Sequence, residues 1–96
     1  MSEALAKYRS EPDAVLLDVR TPAEYAGGHI PDSVNIPVSE IRKVSGLYPK
    51  PDTSMYVYCL SGARSSFAKE ELERLGYEDV TDLGGLNGYH GKVVKE

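Results

Sequence analysis

The sequence predicts an α/β fold in which helices flank a central, mostly parallel sheet. Strand-like and helix-like segments alternate along the chain, which is typical of parallel strands joined by helices. Residues 14–19 are apolar except for Asp18, as expected for a strand buried on both faces. With 96 residues and an apolar share of 41%, we expect a single domain over residues 1–96.

The N-terminal half predicts a helix, a strand, a short helix and a second strand. Residues 3–9 are good helix formers, and the apolar run 14–19 follows them as the first strand. Thr21 and Glu24 then have the spacing of a capping box, which predicts a helix that starts at this point and ends at a pair of glycines. Residues 33–36 alternate between two prolines and predict a short strand.

The C-terminal half continues the alternation. Ser39 is expected to cap a helix that ends near residue 46, and residues 55–58, rich in β-formers, predict a strand. Residues 64–75 predict a helix, and residues 79–83 predict the last strand. The apolar face expected of the long helix consists of Phe67, Ala68, Leu72 and Leu75.

Composition excludes several classes of function. A net charge of -4 argues against nucleic-acid binding, and the longest apolar runs are too short to span a membrane. The single cysteine, Cys59, excludes an internal disulfide and any multi-cysteine metal site. A reducing, cytoplasmic location is the simplest expectation for a chain with one thiol and no recognisable signal peptide.

Cys59 lies where the strand at residues 55–58 stops and the helix at residues 64–75 begins. A thiol at this junction faces backbone N–H groups and the positive end of a helix, and Arg64 adds a cation five positions on. Gly62 permits a tight turn, while Ser61, Ser65 and Ser66 offer hydroxyl donors. These conditions favour a reactive thiolate over an inert, buried cysteine.

Four segments resemble the motifs of the rhodanese family. Asp18-Val19-Arg20 resembles the first motif, and Glu24-Tyr25 with residues 28–37 resembles the second. The loop at residues 59–65 resembles the active-site loop, and residues 83–86 resemble the motif near the family's C-terminus. The family often has a tryptophan after the last motif, whereas this chain has Tyr89 at about that place.

The resemblance implies a rhodanese-like three-layer domain with sulfurtransferase activity. Cys59 would carry a persulfide, Arg64 would join it in catalysis, and no cofactor would be needed. The donor would be a small sulfur-containing anion such as thiosulfate, or a protein persulfide, and the acceptor would be cyanide, a thiol or a protein cysteine. The loop residues expected to bind the substrate and the persulfide are Leu60, Ser61, Gly62, Ala63 and Ser65.

Two other functions compete with sulfur transfer. Cysteine phosphatases and arsenate reductases also join a cysteine loop to an arginine, but their loop is one residue longer than the four residues between Cys59 and Arg64. A non-catalytic rhodanese-like binding module is the second alternative, although such modules often lack the cysteine. Elsewhere, we expect His29 to anchor a loop, and the resemblance suggests that Asp18 and Arg20 tie neighbouring loops together.

Overall fold

The computed structural model describes all 96 residues and has a four-stranded parallel sheet at its centre. The strands are β1 (Val15–Asp18), β2 (Val34–Asn35), β3 (Met55–Cys59) and β4 (Val80–Gly85), in the spatial order β2-β1-β3-β4. Every pairing is parallel, which confirms the predicted α/β class. The carboxyl ends of β1 and β3 are neighbours, since Asp18 lies opposite Tyr58.

Four α-helices surround this sheet. They are α1 (Ser2–Ser10), α2 (Pro22–Ala26), α3 (Val44–Leu47) and α4 (Ala63–Arg74), and two 3-10 segments cover Val38–Lys43 and Leu86–Gly88. The sheet is buried on both faces because β1 and β3 contain no exposed residue. None of the helices combines the length and the apolar character that crossing a bilayer would require.

Alternate residues of the central strands supply two separate cores. Leu17 and Val57 point to one face, where they pack in a cluster with Leu72 of α4. Leu16 of β1 and Tyr56 and Tyr58 of β3 point to the opposite face, where they pack in a cluster with Leu5 of α1. Helices therefore cover both faces of the sheet, which gives the predicted three layers. Complete burial of one such leucine stabilises the fold by about 1.5–3 kcal/mol.

The prediction of a helix capped by Ser39 is wrong about where the segment starts and about the type of its first half, whereas its predicted end near residue 46 agrees with α3, which ends at Leu47. The segment begins as a 3-10 helix at Val38, no side chain caps it, and the backbone of Glu40 leaves helical geometry with φ -117° and ψ 19°. The Val38 N–H instead donates to the carbonyl of Val19 at 3.0 Å, at the end of β1. This tertiary hydrogen bond places the start of the segment, so Ser39 has no capping role.

The predicted apolar face of α4 is only half correct. Ala68 and Leu72 are buried, but Phe67 is 53% exposed and Leu75 is also exposed. Ser65 completes the buried face, because positions 65, 68 and 72 lie on the same side of an α-helix. The side of α4 that meets the sheet thus begins with a hydroxyl group, and that group lies beside the cysteine loop.

Candidate functional site

The loop between β3 and α4 lies at the carboxyl edge of the sheet. Cys59 is the last residue of β3, and α4 begins at Ala63. Gly62 precedes the helix with φ +105°, a left-handed conformation that a residue with a Cβ rarely adopts. This turn curls the chain back over the Cys59 side chain, so that Cys59 is only 1% exposed.

The Cys59 sulfur lies among hydrogen-bond donors. The Gly62 N–H points at Sγ from 2.9 Å, and the Ser65 Oγ lies 3.5 Å from Sγ. Burial is the largest single influence and raises the pKa of the Cys59 thiol, but the Ser65 hydroxyl and the N–H groups of Ser65, Gly62 and Arg64 together outweigh it. The net effect is a pKa below the ordinary value of a cysteine, which favours the nucleophilic thiolate.

Ser65 is placed to respond to the charge of the sulfur. Its buried hydroxyl donates to the Gly62 carbonyl at 3.1 Å, and its oxygen can accept from the Cys59 S–H. When the thiol loses its proton, the same hydroxyl can turn and donate to the thiolate, because a serine hydroxyl both donates and accepts. The other two serines named from the sequence, Ser61 and Ser66, have exposed side chains.

The remaining predicted loop residues form the outer surface of the turn. The side chains of Leu60 and Ala63 are exposed, with Leu60 directly after the cysteine. The structure thus brings Gly62, Arg64 and Ser65 to the sulfur through their backbone N–H groups, and leaves the side chains of Leu60, Ser61 and Ala63 exposed on the outer surface of the turn.

Arg64 forms an ion pair with Glu24 of α2. The two terminal nitrogens of the guanidinium donate to the two carboxylate oxygens, at 2.7 Å and 3.0 Å. This pair and the N–H of Thr21 lower the pKa of Glu24 to about 2, so that the carboxylate is charged at neutral pH. The sequence predicts that Glu24 completes the capping box with Thr21, which it does, and places it in the second motif, but it does not predict the contact with Arg64.

Gly85 of β4 packs against the backbone of the loop. A Cβ atom at this position would lie 2.5 Å from the Leu60 carbonyl oxygen and 2.9 Å from the Ser61 carbonyl carbon. Real side chains do not come so close to backbone atoms, so only glycine leaves the loop in its present position. The glycine pair at residues 84–85 was recognised in the sequence as part of a motif, but its contact with the loop was not predicted.

A buried ion pair stabilises the neighbouring loops at the same edge. The Arg20 guanidinium donates to the Asp18 carboxylate at 2.6 Å and to the Gly28 carbonyl at 2.7 Å, and both charged side chains are buried. His29 binds the Tyr25 carbonyl through Nδ1 at 2.8 Å and stacks on the Tyr25 ring. These contacts confirm the expected loop-tying roles of Asp18, Arg20 and His29.

The donor set around Cys59 is suited to an anion. No cluster of three or more His, Cys, Asp or Glu side chains is placed to hold a metal ion. The polar groups around the sulfur are N–H and hydroxyl groups at the start of a 12-residue helix, whose dipole also favours negative charge. Such an arrangement can stabilise a thiolate or a charged sulfur bound to it.

Comparison with known proteins gives consistent matches. A family model described as a Rhodanese-like domain matches residues 1–92. A Sulfurtransferase of Allochromatium vinosum is 42% identical over 85 residues, which cover 88% of this chain and 78% of the relative. Thiosulfate sulfurtransferase PspE of Escherichia coli is 37% identical over 80 residues, which cover 82% of this chain and 77% of the relative.

The same match holds for three-dimensional structure. A solved structure described as a rhodanese with anions from E. coli superposes with a TM-score of 0.80 at 33% identity, and the match covers 86% of this chain and 99% of that one. The sequence motifs, the parallel sheet and the family model therefore agree, and the chain belongs to the rhodanese-like family.

Proposed function

We propose that this protein is a sulfurtransferase that carries sulfane sulfur as a persulfide on Cys59. The observation that carries the proposal is the Cys59 sulfur itself, which is buried, lies 2.9 Å from the Gly62 N–H and has a lowered pKa. Relatives named sulfurtransferase and thiosulfate sulfurtransferase support this reading. A donor such as thiosulfate or a protein persulfide supplies the sulfur.

The reaction has two half-reactions with the cysteine as nucleophile. The Cys59 thiolate attacks the outer sulfur of thiosulfate, a new S–S bond forms, the S–S bond of thiosulfate breaks, and sulfite leaves with the electron pair. Cyanide, a thiolate or a protein cysteine then attacks the terminal sulfur of the persulfide. The bond between that sulfur and Sγ breaks, the Cys59 thiolate is regenerated, and charge balances in both steps.

The loop stabilises charge at each stage. The N–H groups of Gly62, Arg64 and Ser65 lie close enough to Sγ to lower the pKa of Cys59. In the persulfide the charge lies on the terminal sulfur, and the same N–H groups can stabilise it there. Arg64 is the only loop residue with a formal positive charge and serves as the binding partner for an anionic donor. This scheme needs neither a metal nor an organic cofactor.

Mass spectrometry of the intact protein tests the proposal. After incubation with thiosulfate and removal of excess reagent, the native chain should gain the mass of one sulfur atom, which cyanide should then remove. Cys59→Ser should gain nothing because Cys59 is the only cysteine. Ser66→Ala is the matched control, because it changes an exposed side chain next to the loop but keeps the thiol. The proposal fails if the native chain gains no sulfur from thiosulfate or from a small persulfide.

A phosphatase assay addresses the competing enzyme class. The four-residue spacing between Cys59 and Arg64 makes a small cradle, which favours a single sulfur atom over a tetrahedral phosphate. We expect hydrolysis of an aryl phosphate by the native chain to equal that by Cys59→Ser, and a clear excess would favour the phosphatase reading.

A further inference from the structure

The two arginines beside the active-site loop are each paired with a carboxylate. Arg20 binds Asp18 in the buried ion pair, and Arg64 binds Glu24 at the surface of the site. The formal charges of these four side chains therefore cancel. What remains to attract a negative charge is the group of backbone N–H donors and the dipole of α4.

The carboxylate of Glu24 is held in place independently of Arg64. Its Oε1 accepts from the Thr21 N–H at 3.0 Å and from the Thr21 hydroxyl at 3.1 Å, which completes the capping box of α2. Glu24 is thus an organised partner for Arg64. An anion that approaches the guanidinium must compete with both carboxylate oxygens.

We propose that Glu24 is a specificity-determining residue, because its carboxylate competes with anionic sulfur donors for Arg64. This inference rests on the proposed function, and it adds that the site discriminates among sulfur donors by their charge. Small dianions such as thiosulfate lose part of the attraction of Arg64, while persulfides that carry less charge lose little. The site therefore favours sulfur donors of low charge over thiosulfate more strongly than it would if Arg64 were not paired with Glu24.

The partial exposure of the pair indicates the size of the effect. Arg64 is 34% exposed and Glu24 is 30% exposed, so solvent screens the interaction. Ion pairs in such positions change equilibria by factors of up to about five. A donor can therefore displace Glu24, and the residue adjusts the affinity for anions without closing the site to them.

Glu24→Gln is the variant that tests this competition. Glutamine also completes a capping box, so α2 should keep its N-terminus while the negative charge is removed. The readout is the rate of Cys59 alkylation by iodoacetate, an anion, divided by the rate with iodoacetamide, a neutral reagent of similar size. Any change in the thiolate fraction affects both rates equally and cancels in this ratio.

We expect Glu24→Gln to raise the iodoacetate to iodoacetamide ratio by about threefold. The KM for thiosulfate should fall by a similar factor while kcat changes less, because the gain lies in binding the anion. Glu71→Gln is the matched control: it removes the same charge from an ion pair with Arg74 in the last turn of α4, at the opposite end of that helix from the loop, and should leave the ratio unchanged. A ratio that stays the same or falls in Glu24→Gln overturns the proposal.

An Arg64→Ala background separates competition from simple repulsion. If Glu24 acts by occupying Arg64, adding Glu24→Gln to Arg64→Ala should raise the ratio much less than it does in the native chain. An equal rise would mean that Glu24 merely repels anions, and it would overturn the competition. Alkylation does not depend on sulfur transfer, so a failure of the sulfur-loading experiment leaves these outcomes interpretable, and the reverse also holds.

Discussion

Replacing Ser65 with alanine removes the hydroxyl that most strongly favours the Cys59 thiolate. Ser65 is fully buried, and its Oγ lies 3.5 Å from the sulfur. A hydrogen bond to a charged group contributes about 1.5–3 kcal/mol, and we take the lower end because 3.5 Å is long for this contact. A loss of about 1.5 kcal/mol shifts the equilibrium between thiolate and thiol about tenfold towards the thiol, so the thiolate fraction at neutral pH should fall by at most that factor.

The direction of the pH dependence follows from the sign of the shift. The native structure lowers the pKa of Cys59, so removal of a stabilising donor raises it towards the value set by burial. The alkylation rate of Ser65→Ala should therefore be lower than native at neutral pH. It should approach the native rate at a pH above both pKa values, where the thiol is ionised in both proteins.

The assay is the initial rate of iodoacetamide alkylation of Cys59 as a function of pH. Ser66→Ala is the matched control, since it makes the same change at the next residue, whose side chain is exposed. Its pH profile should overlay that of the native chain. Urea unfolding of each variant checks that the fold survives. Identical pH profiles for Ser65→Ala and the native chain would refute the assigned role of the Ser65 hydroxyl.

Three further predictions concern the supports of the site. Asp18→Asn leaves the buried Arg20 charge without its partner and should lower the free energy of unfolding by about 3–5 kcal/mol; a urea titration that shows less than about 1 kcal/mol would contradict this. Gly85→Ala forces the loop outward and should slow alkylation of Cys59 about tenfold or more. Gly46→Ala is the control, because a Cβ at that position meets nothing within 4 Å, and it should leave the alkylation rate unchanged. The pKa of Glu24 is lowered to about 2, so the contribution of its carboxylate to stability is complete above about pH 4.5 and is lost as the pH falls towards 2. Over that pH window, Glu24→Gln should therefore lose less thermal stability than the native chain. Equal losses in the two proteins would argue against the ion pair.

Local patterns predicted much of the fold. The apolar run at residues 14–19 and the β-formers at residues 55–58 became β1 and β3, and Thr21 and Glu24 formed the expected capping box. Each of these features depends on residues within one helical turn or one strand, so neighbouring side chains and backbone groups are sufficient to specify it. The prediction failed at Ser39, because a hydrogen bond from Val38 to Val19, the residue after β1, fixes the start of the segment.

The position of the nucleophile was also predictable from local sequence, whereas its surroundings were not. Cys59 at the end of a strand and Gly62 before a helix follow from the order of residues alone, and the structure places both as expected. The partner of Arg64 lies 40 positions away in the chain, and the loop atoms that exclude a side chain at Gly85 belong to another element. No periodicity or cap connects such distant residues.

The sequence by itself determined a parallel α/β domain and a cysteine at a strand-to-helix turn, because strands, caps and turns are specified by residues close together in the chain. Only the tertiary structure decided that Glu24 neutralises Arg64, that Ser65 lies against the sulfur and that Gly85 supports the loop. The physical reason is the strand order β2-β1-β3-β4, which places the loops after β1 and β3 side by side and so brings distant charges and backbone atoms into contact.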